Sequence, residues 1–394
     1  MWIKRDLSYF LTDSGSLPVQ IVWGPRQCGK STLLHLLSPK WSSATLDDLQ
    51  NRQTAQNDPA LFLKQNPIPV IIDEAQYAPN LFSQIKMSVD QLRLKTKIKE
   101  PIFRITGSHQ ILLDEKIKES LGGRATFFRL HNLSLSETES LNISVEEQVF
   151  KGGWPELLTN ENLSAVKYLN DYIRTVLDKD VALASGVREI EKFQLTMGLL
   201  AARVGELLNF DSLGREAGVS GVTLKSWVSN LERSGLAELL KPYHSNLNKR
   251  LIKTPKFYFL DTGLAARLQG HTDILLMMKG PSFGHLFENL VYIEILKTRD
   301  HNRKSWNIYF WRSKEQEEYD FVIQSANKII VIDAQVAIQS AKSFFPSSLF
   351  QQDFKNTKIM SVACTFGGKQ KEISDNCTQV PINNLSSFLL ENLE

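Results

Sequence analysis

The stretch Gly24-Pro25-Arg26-Gln27-Cys28-Gly29-Lys30-Ser31 fits the pattern G-x-x-x-x-G-K-[ST] at every fixed position. Residues of these types at this spacing make a phosphate cradle, because glycines let backbone N–H groups approach phosphate oxygens closely. Lys30 would place a point charge between the β- and γ-phosphates of a nucleoside triphosphate, and the Ser31 hydroxyl would ligate Mg²⁺. The cradle thus runs from Gly24 through Gly29 to Lys30, Ser31 and Thr32, the last opening a helix. A second group, Asp73-Glu74, ends the apolar run Pro69-Val70-Ile71-Ile72. Asp73 would serve Mg²⁺ directly or through one of its ligands, and Glu74 would polarise the water attacking the γ-phosphate. The alternative has both acids cap the helix that begins near Pro79. In the third group, Ile102–His109, either Thr106 or Ser108 would sense the γ-phosphate, or Gly107 and Ser108 simply close a turn. Arg124, after Leu121-Gly122-Gly123, is either an arginine finger reaching a neighbouring subunit's nucleotide or a surface cation behind a glycine cap.

Placing these groups at one sheet edge requires parallel strands with crossover helices, and residues 1–135 alternate apolar runs with helical stretches accordingly. Strands are expected at Val19–Trp23, Ala44–Leu46, Val70–Asp73, Ile102–Thr106 and Ala125–Leu130, with breaks at Asp58-Pro59 and Pro67-Ile68-Pro69. The alternating bases of 93–99 read as a solvated helix end and loop or as a face toward DNA.

Residues 136–190 read as a helical lid or linker. Val166, Leu169, Ile173, Val176 and Leu177 recur at threes and fours, which predicts an amphipathic helix over 162–180. Within 191–270, helices are expected at Leu195–Leu208, Ser212–Ala217 and Thr223–Leu231, followed by two strands, Leu236–Leu240 and Lys256–Leu260. Helix, short helix, turn, helix and hairpin together make a winged helix. Between Asp211 and Lys256 eight Lys/Arg face four acids, an excess that suits phosphate contacts by Lys225, Lys249, Arg250 and Lys253. Such a module also serves for packing against protein. Residues 280–394 carry an apolar helix around Glu288, then strands holding Asp320 and Asp333, three acids able to converge on a divalent metal.

With 394 residues the chain exceeds one ordinary core, and two or three domains are expected. Hydrophobic residues at 42% and charged ones at 23% suit a water-soluble globular chain, and no apolar run spans a bilayer. The first residues, Met1–Asp6, are not expected to act as a signal peptide. Cys28, Cys364 and Cys377 are too scattered for a disulfide framework or a zinc site. A thiol at Cys28, read as exposed in the loop, fits a reducing compartment, so the expected location is cytoplasmic.

In their order these motifs resemble a large family of bacterial and archaeal AAA-type ATPases with a C-terminal domain of unknown function. The likeness rests on Gly24–Ser31, Val70–Gln76, Thr106–Ser108, Leu121–Arg124, Gly152–Glu156, Lys253–Leu264 and Gly284–Glu288. It implies an α/β fold: a P-loop core, a helical lid, a winged helix and a domain resembling restriction-endonuclease-like PD-(D/E)xK nucleases. It further implies ATP and Mg²⁺ as ligands. Glu288, Asp320 and Asp333 match the nuclease acids, but Gln335 stands where that pattern has lysine. The expected function is ATP hydrolysis controlling a DNA-binding C-terminal half. The alternatives are an ATP-gated nuclease and a non-catalytic module gripping DNA or protein. A homo-oligomer or protein partner is left open, and no membrane role is expected.

Overall fold

The computed structural model describes residues 2–13, 15–107, 121–182, 187, 189–243, 254–313, 317–326, 328–336, 350–351, 357–374 and 377–393. The chain divides into two compact units. The first comprises Met1–Leu133, Arg233–Gly235 and Asp300–Asn302, and the second Ser134–Glu232, Leu236–Arg299 and Arg303–Glu394.

The first unit is an α/β fold around one all-parallel sheet. Strands β1 (Val19–Trp23), β2 (Ser42–Thr45), β3 (Val70–Asp73), β4 (Phe103–Gly107) and β5 (Ala125–Arg129) lie in the order β2-β3-β4-β1-β5. Parallel strands covered on both faces must be apolar along their length. Val19, Ile21, Val22, Val70, Ile71, Ile72, Phe103 and Ile105 are accordingly all buried. The register sets Trp23 opposite Gly107 and Thr45 opposite Asp73. Gly24, Asp73 and Thr106 therefore reach the same carboxyl edge, where open parallel sheets bind ligands. Helix α1 (Lys30–Leu37) leaves the loop after β1, and α2 (Leu81–Lys95) buries Leu81, Phe82, Ile85 and Val89 along one stripe. Strand ends differ from the sequence expectation by no more than two residues.

In the second unit, α3 (Ala165–Tyr172) runs into a π-helical segment, Ile173–Val181. Leu169, Val176 and Leu177 are buried, as their spacing requires. Helices α4 (Ile190–Ala202), α5 (Phe210–Glu216) and α6 (Gly221–Arg233) precede an antiparallel hairpin of β6 (Ala237–Leu240) and β7 (Lys256–Phe259). The helix expected over Leu195–Leu208 stops at Ala202. Gly205 adopts a φ of 82° and donates its N–H to the Phe257 carbonyl, and Leu207 bridges to Lys256. The apolar residues at 207–208 thus belong to the hairpin's edge rather than to the helix. Farther on, α7 (Phe283–His301) precedes a six-stranded mixed sheet: β8 (Asn307–Arg312), β9 (Glu318–Ser325), β10 (Lys328–Gln335), β11 (Lys358–Thr365), β12 (Lys371–Ser374) and β13 (Cys377–Pro381). Its order is β12-β13-β11-β10-β9-β8, and α8 (Leu385–Leu393) follows. One hydrophobic cluster joins Trp154, Phe193, Trp227, Phe259, Phe287, Phe321 and Leu389. No described helix is long and apolar enough to cross a membrane.

Candidate active site

The loop after β1 is held in shape by its backbone. A Cβ on Gly24 would lie 2.0 Å from the Leu130 carbonyl oxygen, so only glycine fits there. Gly29, with φ 94°, turns the chain into α1 and offers no side chain to cap it. The amides of the first helical turn are thereby left to an anion. From behind, the buried Arg5 guanidinium donates to the Cys28 carbonyl at 2.8 Å and the His131 carbonyl at 2.6 Å. The Lys30 ammonium is buried and donates to two loop carbonyls, Gly24 at 3.1 Å and Pro25 at 2.8 Å. Cys28 is a correction to the sequence reading. Its side chain is fully buried with Leu7, Val22, Leu33 and Leu34, so the exposed thiol invoked for a reducing compartment is not there.

Asp73 is the centre of the site. Its carboxylate accepts the Ser31 hydroxyl at 2.7 and 2.8 Å and the Thr106 hydroxyl through Oδ1. Thr106 in turn accepts the Glu74 N–H at 3.1 Å. Neither acid caps a helix. Glu74 adopts left-handed angles, φ 55° and ψ 45°, before a short turn at Ala75–Tyr77 that has no side-chain cap, and α2 starts after Asn80. The Gln76 side-chain amide donates to Glu74 Oε2. The Ser31 hydroxyl and Asp73 carboxylate are hard oxygen donors side by side, a set that suits Mg²⁺. Ser108 lies outside the described residues.

Arg124 has a partner of its own. Its Nε and Nη2 donate to the two Asp90 carboxylate oxygens at 2.6 and 2.9 Å, and Nη1 donates to the Gly122 carbonyl. That fork holds the Asp90 carboxyl below the usual carboxylate range. An arginine finger would have to break this pairing with Asp90.

A second charged cluster forms in the other unit. Glu288 on α7, Glu318 and Asp320 on β9, and Asp333 on β10 surround Lys256 of the hairpin. The Lys256 ammonium stands 3.1 Å from Glu288, 2.6 Å from Glu318 and 3.6 Å from Asp320. The Tyr258 hydroxyl donates to Glu288 at 2.5 Å, and the Ala334 N–H donates to Asp320 at 2.9 Å. Asn289 brings α7 to β7 by pairing with both the N–H and the carbonyl of Phe259, at 3.1 and 2.7 Å. Tyr258, Tyr292 and Phe321 pack ring against ring across the same junction. Burial, and then the Asp320 charge, push Glu288 up to about 8, and burial also raises Asp320 and Asp333. Burial disfavours the Lys256 ammonium, but Glu288, Asp320 and Glu318 together outweigh it and raise its pKa.

The cation among these acids is therefore an ammonium. A divalent ion bonded at about 2.0–2.6 Å to the same oxygens would face that ammonium at close range. The cluster as arranged does not fit such an ion, and no metal-dependent step is assigned to it. Lys256, counted in the basic excess of the hairpin region, is turned away from solvent into this cluster. Lys225 is exposed on α6, while Lys249, Arg250 and Lys253 lie outside the described residues. Sequence reasoning missed Arg5, Gln76 and Lys256 as contributors. Gln76 alone had a local signal, sitting two residues beyond Glu74.

Comparison with known proteins agrees with the first unit's geometry. Residues 16–139 match the model of an AAA domain. Residues 142–274 and 283–385 match two domains of unknown function, DUF8612 and DUF4143. The uncharacterized protein Rv2008c of Mycobacterium tuberculosis is 29% identical over 315 residues, covering 79% of this chain and 68% of that protein. An uncharacterized protein of Haemophilus influenzae is 22% identical over 353 residues, covering 82% of each. Among solved structures, the Walker-type ATPase PABY2304 of Pyrococcus abyssi is 15% identical with a TM-score of 0.37, over 67% of this chain and 95% of that one. The Aeropyrum pernix ORC1 protein in complex with DNA is 12% identical with a TM-score of 0.29, over 69% and 93%. Residues 16–139 are thus similar to an AAA domain, whereas the family models matched beyond residue 141 carry no described function.

Proposed function

We propose that the protein is a Mg²⁺-dependent ATPase whose nucleotide state governs a DNA-binding C-terminal half. The observation that carries the first part is the meeting of Ser31, Asp73 and Thr106 beside Lys30 and the uncapped start of α1. Bound at Ser31 and Asp73, Mg²⁺ would offset charge on the phosphate oxygens. Amides from the loop and from Lys30, Ser31 and Thr32 hold phosphate oxygens. Lys30 exchanges the neutral Gly24 and Pro25 carbonyls for an anionic partner, a stronger hydrogen bond. Glu74, pinned through its N–H to Thr106, takes the proton of the attacking water. Glu74→Gln is expected to leave ATP binding within about two-fold and to lower turnover by at least about 100-fold. Unchanged steady-state hydrolysis in that variant would refute Glu74's role.

The DNA half of the proposal leans on α4, α5, α6 and the β6–β7 hairpin, an order consistent with a winged helix, with Lys225 exposed on α6. The cluster around Lys256 supports a module that holds DNA or a protein partner without cutting, since its acids already face an ammonium. Binding of random duplex DNA that weakens steeply with salt, and further in Lys225→Ala, would support DNA as the partner. No binding at low salt would point to protein instead. Nicking of plasmid in Mg²⁺ or Mn²⁺, lost in Asp320→Ala, would overturn the non-cutting reading.

A further inference from the structure

Gln76 is more than nine-tenths buried on the turn that follows Glu74, yet it is only half satisfied. Its amide nitrogen donates to the Glu74 carboxylate, while its carbonyl oxygen is buried with no hydrogen-bond partner among the described residues. Buried amides are nearly always paired at both ends, and an orphaned acceptor costs about 1–3 kcal/mol. The neighbouring backbone is strained as well, with Glu74 in left-handed angles that non-glycine residues avoid. Around this strain the contacts are specific: Thr106 fixes the Glu74 N–H, and Gln76 fixes one carboxylate oxygen. One carboxylate oxygen is therefore held by a side chain two residues away.

We propose that Gln76 is a positioning residue for hydrolysis: its amide aims the Glu74 carboxylate, and its unpaired carbonyl accepts a hydrogen bond from the water that Glu74 activates. One oxygen of Glu74 is thereby held by Gln76. The water gains a second fixed acceptor, so its attack direction is set before reaction. The orphaned oxygen then finds its donor only when the site is filled.

The inference rests on the ATPase reading, and the test separates the two. Gln76→Leu keeps bulk in a buried position and removes both polar ends, and Gln76→Ala is the second variant. In both, ATP affinity and KM are expected to stay within about two-fold while kcat falls about 10- to 100-fold. In the Glu74→Gln background, Gln76→Leu is expected to lower kcat no further, because the two residues act as one unit. Wild-type kcat in Gln76→Leu and Gln76→Ala, with hydrolysis still abolished by Glu74→Gln, would overturn this inference alone. Weakened ATP binding would also overturn it by showing a structural role, as would an additive loss in the double variant. A wild-type protein that neither binds nor hydrolyses ATP would remove both this inference and the reading beneath it.

Discussion

Replacing Lys256 with methionine keeps an unbranched side chain, shorter by the terminal nitrogen, and deletes the charge that Glu288, Glu318 and Asp320 share. Each pair at about 3 Å is worth about 5 kcal/mol of attraction at an effective dielectric near 20, most of it cancelled by desolvation. What matters after the substitution is the charge left without a partner. Burial raises both Glu288 and Asp320; Glu288, pushed up to about 8, takes a proton the more readily, so the stranded charge falls chiefly on Asp320. Asp320 can escape only by taking a proton. From its ordinary value of 3.8, that costs at most about 4.4 kcal/mol at pH 7 and about 2.3 kcal/mol at pH 5.5. The sign is fixed because the group is neutral when folded and ionised when unfolded, so stability falls as pH rises above 3.8. Lys256→Met is therefore expected to lose about 3–4 kcal/mol at pH 7 and about 2 kcal/mol at pH 5.5. Urea denaturation followed by tryptophan fluorescence reads this, since Trp154, Trp227, Trp306 and Trp311 all lie in the second unit. An equal loss at both pH values, or none, would refute the reasoning.

Gly24→Ala is expected to abolish ATP binding, measured with a fluorescent nucleotide, because the added methyl would fall 2.0 Å from the Leu130 carbonyl oxygen. Arg124→Ala is expected to leave ATPase activity within about two-fold, since the side chain is taken by Asp90. A loss above ten-fold that mixing with an active-site variant rescues would restore the finger reading. The second unit's thermal midpoint is expected to fall between about pH 4.5 and 8. Glu288, Asp320 and Asp333 all bind protons more tightly folded than unfolded, so the unfolded chain gains as they ionise. Asp333→Asn should flatten that slope, and an unchanged slope would count against it.

The cluster at the carboxyl edge of the first sheet was legible in the sequence because its determinants are local. Glycine at 24 and 29, lysine at 30 and an acid closing an apolar run each announce their backbone setting within a few residues. The hub at Asp73 followed once strand order put β4 beside β3. Lys256 was opaque for the opposite reason. Its three acids lie on α7 and β9, and a lysine next to Pro255 in a basic stretch reads as a surface charge. Arg124 was undecidable because its partner Asp90 lies 34 residues away in sequence. The edge at 205–208 was misread because its leucines satisfy helical spacing equally well, and only pairing with Phe257 and Lys256 decides.

ATP affinity in the presence of Mg²⁺, for the wild type and for Lys30→Ala, tests the central claim most directly. The account predicts saturable binding by the wild type and a loss of at least about 100-fold on removing the ammonium. Equal affinity in the two proteins would contradict it.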